Sequence, residues 1–143
     1  MKIGILTGGG DCPGLNPVIR GIVTKGIIQY SDTFVGLLDG WKGLLEANSM
    51  PLTIPDVENI FDKGGTIIGT SRTNVAKVEN GFQKSKDAFK KLGLDALIAI
   101  GGEDTLGVAN KLVKEGLNIV ACPKTIDNDL SATDFTFGFD TSV

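Results

Sequence analysis

Histidine is absent from this sequence of 143 residues. Acid–base catalysis by an imidazole and metal binding by histidine are therefore excluded for this chain. Cysteine occurs twice, at Cys12 and Cys122, and the two residues form neither a CxxC pair nor a disulfide framework. Such sparse cysteine usage is typical of a protein in the reducing cytoplasm, where we expect this one to work.

Long apolar runs and basic clusters are also missing. No apolar stretch approaches the roughly 20 residues that a membrane-spanning helix requires, so the sequence predicts no membrane partner. Lysine and arginine total 14 against 17 acidic residues, and the resulting net charge of −3 argues against nucleic acid as a partner. Met1 leads directly into a strand-like segment, and we therefore expect no signal peptide.

Strand-like and helix-like apolar patterns alternate along the chain, with 41% hydrophobic residues overall. Strands are predicted over residues 2–7, 33–38, 96–100, 119–122 and 133–139. Helices are predicted over residues 16–30, 82–92 and 106–115. Because the two kinds of element alternate, we expect a single α/β domain with three layers, in which helices cover both faces of a Rossmann-like, mostly parallel sheet.

Weaker signals mark the segments between these elements. Trp41 falls in a predicted turn and is expected to pack against the edge of the sheet. Residues 48–55 are predicted to be irregular, and residues 66–69 to form a brief strand. In the helix over residues 106–115, Val113 is expected on the buried face.

Three of the predicted strands are followed by loops rich in glycine or in charged residues. These loops comprise residues 7–14, 101–105 and 123–129. The carboxyl ends of parallel strands meet at one edge of a sheet, where open α/β sheets bind their ligands. Glycine turns let backbone N–H groups approach an anion, and magnesium favours one or two carboxylates together with phosphate oxygens. The sequence therefore predicts a site for a magnesium-bound phosphate compound at this edge.

Neither of two common nucleotide-binding motifs is present in these loops. The spacing fits neither GxGxxG nor GxxxxGK[ST], which disfavours a nicotinamide enzyme and a Walker-type ATPase. Each candidate residue also has an ordinary structural interpretation. Arg72 is typical of an exposed surface cation, and Asp104 of the first turn of a helix. Asp127 and Asp129 are typical of turns. It is their occurrence together, at the ends of successive strands, that favours a functional site.

Taken together, these segments resemble the 6-phosphofructokinase family. The resemblance rests on residues 9–16 (GGDCPGLN), 65–72, 101–105 (GGEDT), 123–129 (PKTIDND) and 137–141 (FGFDT). The motifs occur in order and at suitable separations, which makes the match specific, and they extend over the whole chain. The resemblance implies phosphoryl transfer, in which positioning and charge neutralisation supply most of the catalysis.

The resemblance implies catalytic roles for several residues. Asp127 would be the general base that takes the proton from the 1-hydroxyl of the sugar. Thr125 and Asp129 would position the acceptor and the magnesium-bound phosphoryl group, so these two residues and Asp127 are the predicted substrate-binding residues. Arg72 would stabilise negative charge on the phosphoryl group during its transfer. Lys124 is the remaining predicted catalytic residue.

A donor-binding set and a metal ligand are implied in the same way. The predicted donor-binding residues are Gly10, Arg72, Gly102, Asp104, Thr105 and Lys124. Gly10 and its neighbours would offer backbone donors to phosphate. Glu103 stands where many relatives have aspartate and is the predicted Mg²⁺ ligand, which makes magnesium the expected cofactor.

Two positions bear on the identity of the donor. ATP-using members of the family commonly carry glycine at the positions of Asp104 and Lys124. The bulk and negative charge of Asp104 disfavour an α-phosphate at this position. Lys124 can neutralise the terminal charge of pyrophosphate. The resemblance therefore implies transfer from pyrophosphate to fructose 6-phosphate, giving fructose 1,6-bisphosphate in glycolysis.

The sequence leaves three alternative functions open. The first two are an ATP-dependent 6-phosphofructokinase and a truncated, non-catalytic phosphate-binding domain. A kinase of another substrate that shares the GGD-type loop ranks last, because it does not explain residues 123–129.

The length of the chain limits what it would do alone. Members of the family are usually more than twice as long as these 143 residues. We therefore expect residues 1–143 to be the N-terminal donor-binding domain, with the sugar-phosphate-binding half outside this chain, and the isolated chain to be inactive or incomplete. The resemblance implies a homo-oligomer for the full-length protein, with pyrophosphate (or ATP) and fructose 6-phosphate as its ligands.

Overall fold

A computed structural model describes residues 1–9, 15–60, 65–125 and 137–138, with the backbone alone described at positions 124, 125, 137 and 138. The described strands are β1 (Lys2–Thr7), β2 (Thr33–Leu37), β3 (Ser49–Leu52), β4 (Ala96–Gly101), β5 (Ile119–Thr125) and β6 (Phe137–Gly138). The described helices are α1 (Leu15–Tyr30), α2 (Trp41–Glu46), α3 (Ile54–Val57), a 3₁₀ helix (Val75–Lys77), α4 (Gly81–Lys91) and α5 (Glu103–Lys114). None of these helices combines the length and the apolar character needed to cross a membrane.

The six strands form one sheet in the order β3-β2-β1-β4-β5-β6. Strand β1 pairs in parallel with both β2 and β4, and β5 continues the parallel arrangement towards β6. Of the described strands only β3, at the edge, runs antiparallel, against β2. The strand order therefore reverses between β1 and β4, which is the position where open α/β sheets form a ligand-binding crevice.

Helices cover both faces of the sheet, as the alternation of side chains along β1 illustrates. Leu6 points into a cluster that includes Phe89 of α4 and Leu112 of α5. Its neighbour Ile5 points into the opposite cluster, which includes Ile19 of α1. Because successive strand residues face opposite sides, β1, β2, β4 and β5 contribute side chains to both clusters. The predicted three-layer α/β fold is confirmed.

Two segments between the main elements differ from expectation. Residues predicted to be irregular form β3, and its Pro51 is compatible with a strand because β3 lies at the edge of the sheet. Residues 66–69 were expected to be a strand and instead form a turn, in which Ile68 is 1% exposed. The apolar character of Ile68 reflects its burial in the core and not a place in the sheet.

Helix α5 and strand β5 differ from expectation in detail. Val113 is 45% exposed, whereas Thr105, Val108, Ala109 and Leu112 form the buried face of α5. That set follows the i, i+3, i+4, i+7 spacing of an amphipathic helix. Strand β5 continues past its predicted end through the first three residues of the motif at 123–129, because Pro123 remains in register with Gly101 of β4.

Candidate functional site

A cavity of about 180 Å³ opens at the carboxyl ends of the central strands. Its lining residues come from the loop after β1, the start of α2, the segment before and within the 3₁₀ helix, and the first turns of α5. They are Gly9, Trp41, Ser71, Arg72, Thr73, Asn74, Lys77, Asp104, Thr105 and Val108. The fold therefore brings together, at the predicted edge, residues that are far apart in the sequence.

The loop after β1 packs closely against the side chain of Thr105 in the first turn of α5. A Cβ added to Gly8 would lie 2.3 Å from Oγ1 of Thr105, and one added to Gly101 would lie 2.5 Å from Cβ of Thr105. The Gly8 N–H donates a hydrogen bond of 2.8 Å to the carbonyl oxygen of Ile100, the penultimate residue of β4. Glycine is required here because Thr105, which is 4% exposed, occupies the space that a side chain would need.

Helix α5 begins at this cavity with two acidic residues in its first turn. Gly102 is the N-cap residue, and Glu103 and Asp104 follow it with exposed side chains. Carboxylates at a helix N-terminus interact favourably with the helix dipole. Of the two, Asp104 lines the cavity and Glu103 does not.

Two cations in and before the 3₁₀ helix line the same cavity. Arg72 precedes the 3₁₀ helix, and Lys77 is its last residue. Both side chains are exposed, and neither forms an ion pair with another residue in the described part of the chain. Among the described lining residues, these two cations and the single carboxylate of Asp104 sum to a net positive charge, which favours an anion.

Trp41 forms the apolar wall of the cavity and is its most buried large side chain. It is 2% exposed and packs in the cluster that contains Leu37 and Leu44. Its indole N–H is buried and has no hydrogen-bond partner among the described residues. Trp41 is the first residue of α2 and directly follows Gly40. Gly40 has a φ of 66°, a value that glycine adopts readily and that is unfavourable for other residues.

The structure places the predicted site residues in three groups. Arg72, Asp104 and Thr105 line the cavity together, and Gly102 and Glu103 precede Asp104 at the start of α5. Lys124 and Thr125 are the last two residues of β5, which neighbours β4 at the same edge. Gly10, Asp127 and Asp129 lie outside the described residues.

Sequence reasoning missed several of the lining residues. Ser71, Asn74 and Lys77 were not singled out, and Trp41 was expected only at the edge of the sheet. The signal at Trp41 was its position directly after Asp39-Gly40, a turn that follows β2 at the same edge as the glycine loop. For Lys77 the only signal was its closeness in sequence to Arg72.

The donor atoms present are compatible with magnesium bound together with a phosphate ligand. Among the described residues there is no group of three or more histidine, cysteine, aspartate or glutamate side chains that could hold a metal ion. Magnesium keeps several waters and commonly takes only one or two carboxylates along with substrate phosphate oxygens. Asp104, which lines the cavity, supplies one such carboxylate, and Glu103 precedes it in the first turn of α5.

Comparison with known families gives the class of protein. The sequence matches the phosphofructokinase family over residues 2–143, and the chain therefore belongs to that family. The resemblance drawn from the motifs is confirmed. A crystal structure of Pichia pastoris phosphofructokinase in the T-state superimposes with a TM-score of 0.88 at 31% identity, covering 96% of this chain and 16% of that one.

Curated relatives differ in the donor that their names specify. The pyrophosphate--fructose 6-phosphate 1-phosphotransferase of Dictyoglomus thermophilum is 62% identical over 143 residues, which are 100% of this chain and 41% of that protein. The protein of the same name from Streptomyces coelicolor is 59% identical over 144 residues, covering 100% of this chain and 42% of its own length. ATP-dependent 6-phosphofructokinase 3 of Streptomyces coelicolor is 50% identical over 143 residues, with 100% and 42% covered. The chain thus spans about 42% of the length of these relatives.

Proposed function

We propose that this chain binds magnesium-bound pyrophosphate and forms the phosphate-donor-binding part of a pyrophosphate--fructose 6-phosphate 1-phosphotransferase. The reaction transfers a phosphoryl group from pyrophosphate to the 1-hydroxyl of fructose 6-phosphate and yields fructose 1,6-bisphosphate, a step of glycolysis. Most of the residues that bind the 6-phosphate of the sugar belong to the part of the relatives' length that this chain does not span. The complete protein is a cytoplasmic homo-oligomer.

The observation that carries the proposal is the position of Asp104 in a small cavity that Arg72 and Lys77 also line. The cavity volume of about 180 Å³ lies below the range of about 300–1,000 Å³ that is usual for pockets that hold drug-sized ligands. A compact diphosphate suits that volume better than a nucleotide. The carboxylate of Asp104 opposes a further phosphate and its attached sugar, whereas the two cations attract the terminal phosphates.

The names of the relatives support the same donor. Proteins with 59% and 62% identity are named for pyrophosphate, and ATP-dependent 6-phosphofructokinase 3 of Streptomyces coelicolor has 50% identity. All three align with the whole of this chain, so the difference in identity lies within the same region.

The predicted donor-binding residues keep their roles in the proposal, except that Thr105 has a structural one. Arg72 stabilises charge on the transferred phosphoryl group, and Lys124 binds the terminal phosphate of the donor. Gly10 and Gly102 present backbone N–H groups to phosphate oxygens. Thr105, which is buried, acts by fixing the close contact between the loop after β1 and α5.

The acceptor and the metal complete the assignment. Asp127 takes the proton of the sugar hydroxyl, and Thr125 and Asp129 orient the acceptor. Glu103 would hold magnesium together with phosphate oxygens of the donor. Magnesium, when bound, neutralises phosphate charge in the donor.

Calorimetric titration of this chain with magnesium pyrophosphate and with magnesium ATP tests the donor assignment. We expect a measurable affinity for pyrophosphate and a weaker one for ATP. Trp41 is the only tryptophan and lines the cavity, so its fluorescence supplies a second, independent signal of occupancy. Asp127→Ser is expected to leave donor binding nearly unchanged in this chain and to abolish most transfer in the complete protein.

A matched pair of charge variants shows whether binding occurs in the proposed cavity. Arg72→Met removes a cation from the cavity lining, and Lys84→Met removes one from the exposed face of α4. We expect the first variant to weaken pyrophosphate binding and the second to leave it unchanged. Equal effects of the two variants, or tighter binding of ATP than of pyrophosphate by the unmodified chain, would contradict the proposal.

A further inference from the structure

The segment that carries Arg72 is held in place without a helix or a strand. Residues 65–74 contain neither, and Ile68 is the one residue among them that is fully buried in the core. An irregular segment with so little apolar burial is expected to open easily unless polar contacts fix it. In this protein the contacts are hydrogen bonds from hydroxyl groups and from backbone N–H groups.

The first of these contacts is a part-buried chain of hydrogen bonds that starts from β1. Thr7, the last residue of β1, is 0% exposed, and its Oγ1 donates to the Gly69 carbonyl oxygen at 2.7 Å. The same oxygen lies 3.0 Å from Oγ1 of Thr66. A hydroxyl group has one proton, so Thr66 must be the donor to Thr7. The Ile68 N–H in turn donates to Oγ1 of Thr66 at 3.3 Å.

This order gives an unbroken path from the Ile68 N–H through the hydroxyls of Thr66 and Thr7 to the Gly69 carbonyl. Such chains strengthen each of their members through mutual polarisation. Thr7 is the only member that belongs to the sheet. It therefore connects the irregular segment to the rigid part of the fold.

Further hydrogen bonds hold the residues next to Arg72. The Thr70 hydroxyl donates to the carbonyl oxygen of Gly9, and the Ser71 hydroxyl donates to that of Asp39 at 2.7 Å. The Asp39 N–H donates back to the carbonyl oxygen of Ile68 at 2.9 Å. The segment is thus fixed between the loop after β1 and the loop after β2.

We propose that the Thr7 hydroxyl is a positioning group for Arg72 and thereby for donor binding. Thr7 does not line the cavity, whereas Arg72 does. The hydroxyl of Thr7 acts on the donor only through the anchored segment, which carries Arg72. This inference rests on the proposed function, since it takes the cavity as the site of pyrophosphate.

Thr7→Val tests the proposal because valine has nearly the shape of threonine and lacks the hydroxyl. Thr7→Ser restores the hydroxyl and is the conservative rescue. Both substitutions are made in the unmodified chain and in the Arg72→Met variant. Binding of magnesium pyrophosphate is then titrated for each. The temperature is one at which melting curves show that every variant is fully folded. We expect Thr7→Val to raise Kd on the order of tenfold, Thr7→Ser to restore it, and Arg72→Met to remove the effect of Thr7→Val.

A second buried hydroxyl provides a control for a merely structural role. Ser85 is 0% exposed, and its Oγ donates to the Gly81 carbonyl oxygen at 2.8 Å, within α4 and outside the cavity lining. Ser85→Ala is expected to lower the melting temperature without changing Kd. A Thr7→Val effect that matches that of Ser85→Ala, or that persists undiminished in the Arg72→Met background, would overturn the positioning role.

Hydrogen exchange separates this inference from the proposed function. We expect amides of residues 66–73 to exchange faster in Thr7→Val than in Thr7→Ser, whether or not a donor is bound. If the unmodified chain fails to bind magnesium pyrophosphate, the proposed function and the role of Thr7 in binding both fail. Unchanged exchange in Thr7→Val would overturn the anchoring of the segment itself.

Discussion

The hydroxyl of Thr105 lies where a side chain on Gly8 would begin. A Cβ at position 8 would stand 2.3 Å from Oγ1 of Thr105 and 3.2 Å from its Cβ. The backbone of the glycine loop can therefore approach α5 only while position 8 has no side chain. This contact sets the distance between two of the segments that form the candidate donor site.

The first prediction concerns this contact. Gly8→Ala is expected to lower the free energy of unfolding by about 1–3 kcal/mol, because the added methyl group overpacks the interface. Thr105→Ala in the same chain removes the hydroxyl and the methyl group and should recover part of the loss, since the nearest remaining atom lies at 3.2 Å. Urea unfolding of the two single variants and the double variant measures both effects.

Gly107→Ala is the control for that series. Position 107 lies within α5, and a Cβ there would meet nothing within 4 Å. We expect a gain of about 0.5–1 kcal/mol, because alanine is the better helix former. Strictly additive losses in the double variant of the first series would show that Gly8 and Thr105 do not interact as described.

The second prediction compares two glycines with positive φ. Gly40 has a φ of 66°, and a Cβ there would lie 2.8 Å from the carbonyl oxygen of Thr7, whereas Gly93 has a φ of 68° and open space around it. Gly93→Ala should cost about 1 kcal/mol from backbone strain alone. Gly40→Ala should cost clearly more, because the clash is with backbone and displaces the start of α2. Thermal unfolding measures the difference.

The position of Trp41 gives the same pair of variants a local readout. Trp41 follows Gly40 directly and is 2% exposed. The fluorescence maximum of its indole should shift to longer wavelength in Gly40→Ala and remain unchanged in Gly93→Ala. Identical spectra in both variants would indicate that Gly40 does not control the placement of Trp41.

The third prediction concerns donor selectivity. Asp104→Gly removes both the bulk and the charge that oppose a nucleotide, and Asp104→Asn removes the charge alone. We expect the affinity for magnesium ATP relative to magnesium pyrophosphate to rise in the order unmodified chain, Asp104→Asn, Asp104→Gly. The relief should be partial, because Lys124 is retained. Titration with both donors gives the ratio for each variant.

Asp87→Asn removes a carboxylate from α4, outside the cavity lining, and serves as the control for general changes in charge. It should leave the ratio of the two affinities unchanged. An unaltered ratio in Asp104→Gly would remove Asp104 from the selectivity determinants.

The fourth prediction follows from the thiol of Cys122 on β5. Partial burial raises its pKa above the ordinary value of 9.0. The measurement uses a Cys12→Ser variant, in which Cys122 is the only cysteine. Alkylation of Cys122 by iodoacetamide should be slower in the folded protein than in urea. The increase of the alkylation rate with pH should also occur at higher pH in the folded protein. Coincident pH profiles for folded and unfolded protein would contradict the burial of this thiol.

The same shift has a consequence for stability. A raised pKa means that the folded state binds the thiol proton more tightly than the unfolded state does. The contribution to stability is therefore complete below the ordinary pKa of 9.0 and is lost as the pH rises through the higher value of the folded state. Cys122→Ser should weaken the alkaline dependence of the melting temperature.

Much of the fold could be predicted because its signals are local. The alternation of apolar patterns placed β1, α1, β4 and α5 to within a few residues. Strand β3 was missed because four residues that include a proline carry too little pattern, and its place depends on pairing with the edge strand β2. The turn around Ile68 was mistaken for a strand because burial in the core and membership of a sheet require the same apolar side chains.

Prediction of the candidate site was limited by a different cause. Arg72 and Asp104 were identified from motifs that match the family, and the structure confirms that they line one cavity. Trp41 and Lys77 belong to no such motif. Their places in the lining depend on how α2 and the 3₁₀ helix pack, which no short stretch of sequence encodes.

By itself the sequence determined the kind of fold, the family and the residue types that meet a phosphate, because these depend on periodicity and on motifs read along one stretch of chain. Only the tertiary structure decided which of those residues share a cavity, how small that cavity is, and that Thr7 anchors the segment of Arg72. The physical reason is distance along the chain. Contacts between Thr7 and Gly69, or between Gly8 and Thr105, exist only after the sheet has brought remote segments together.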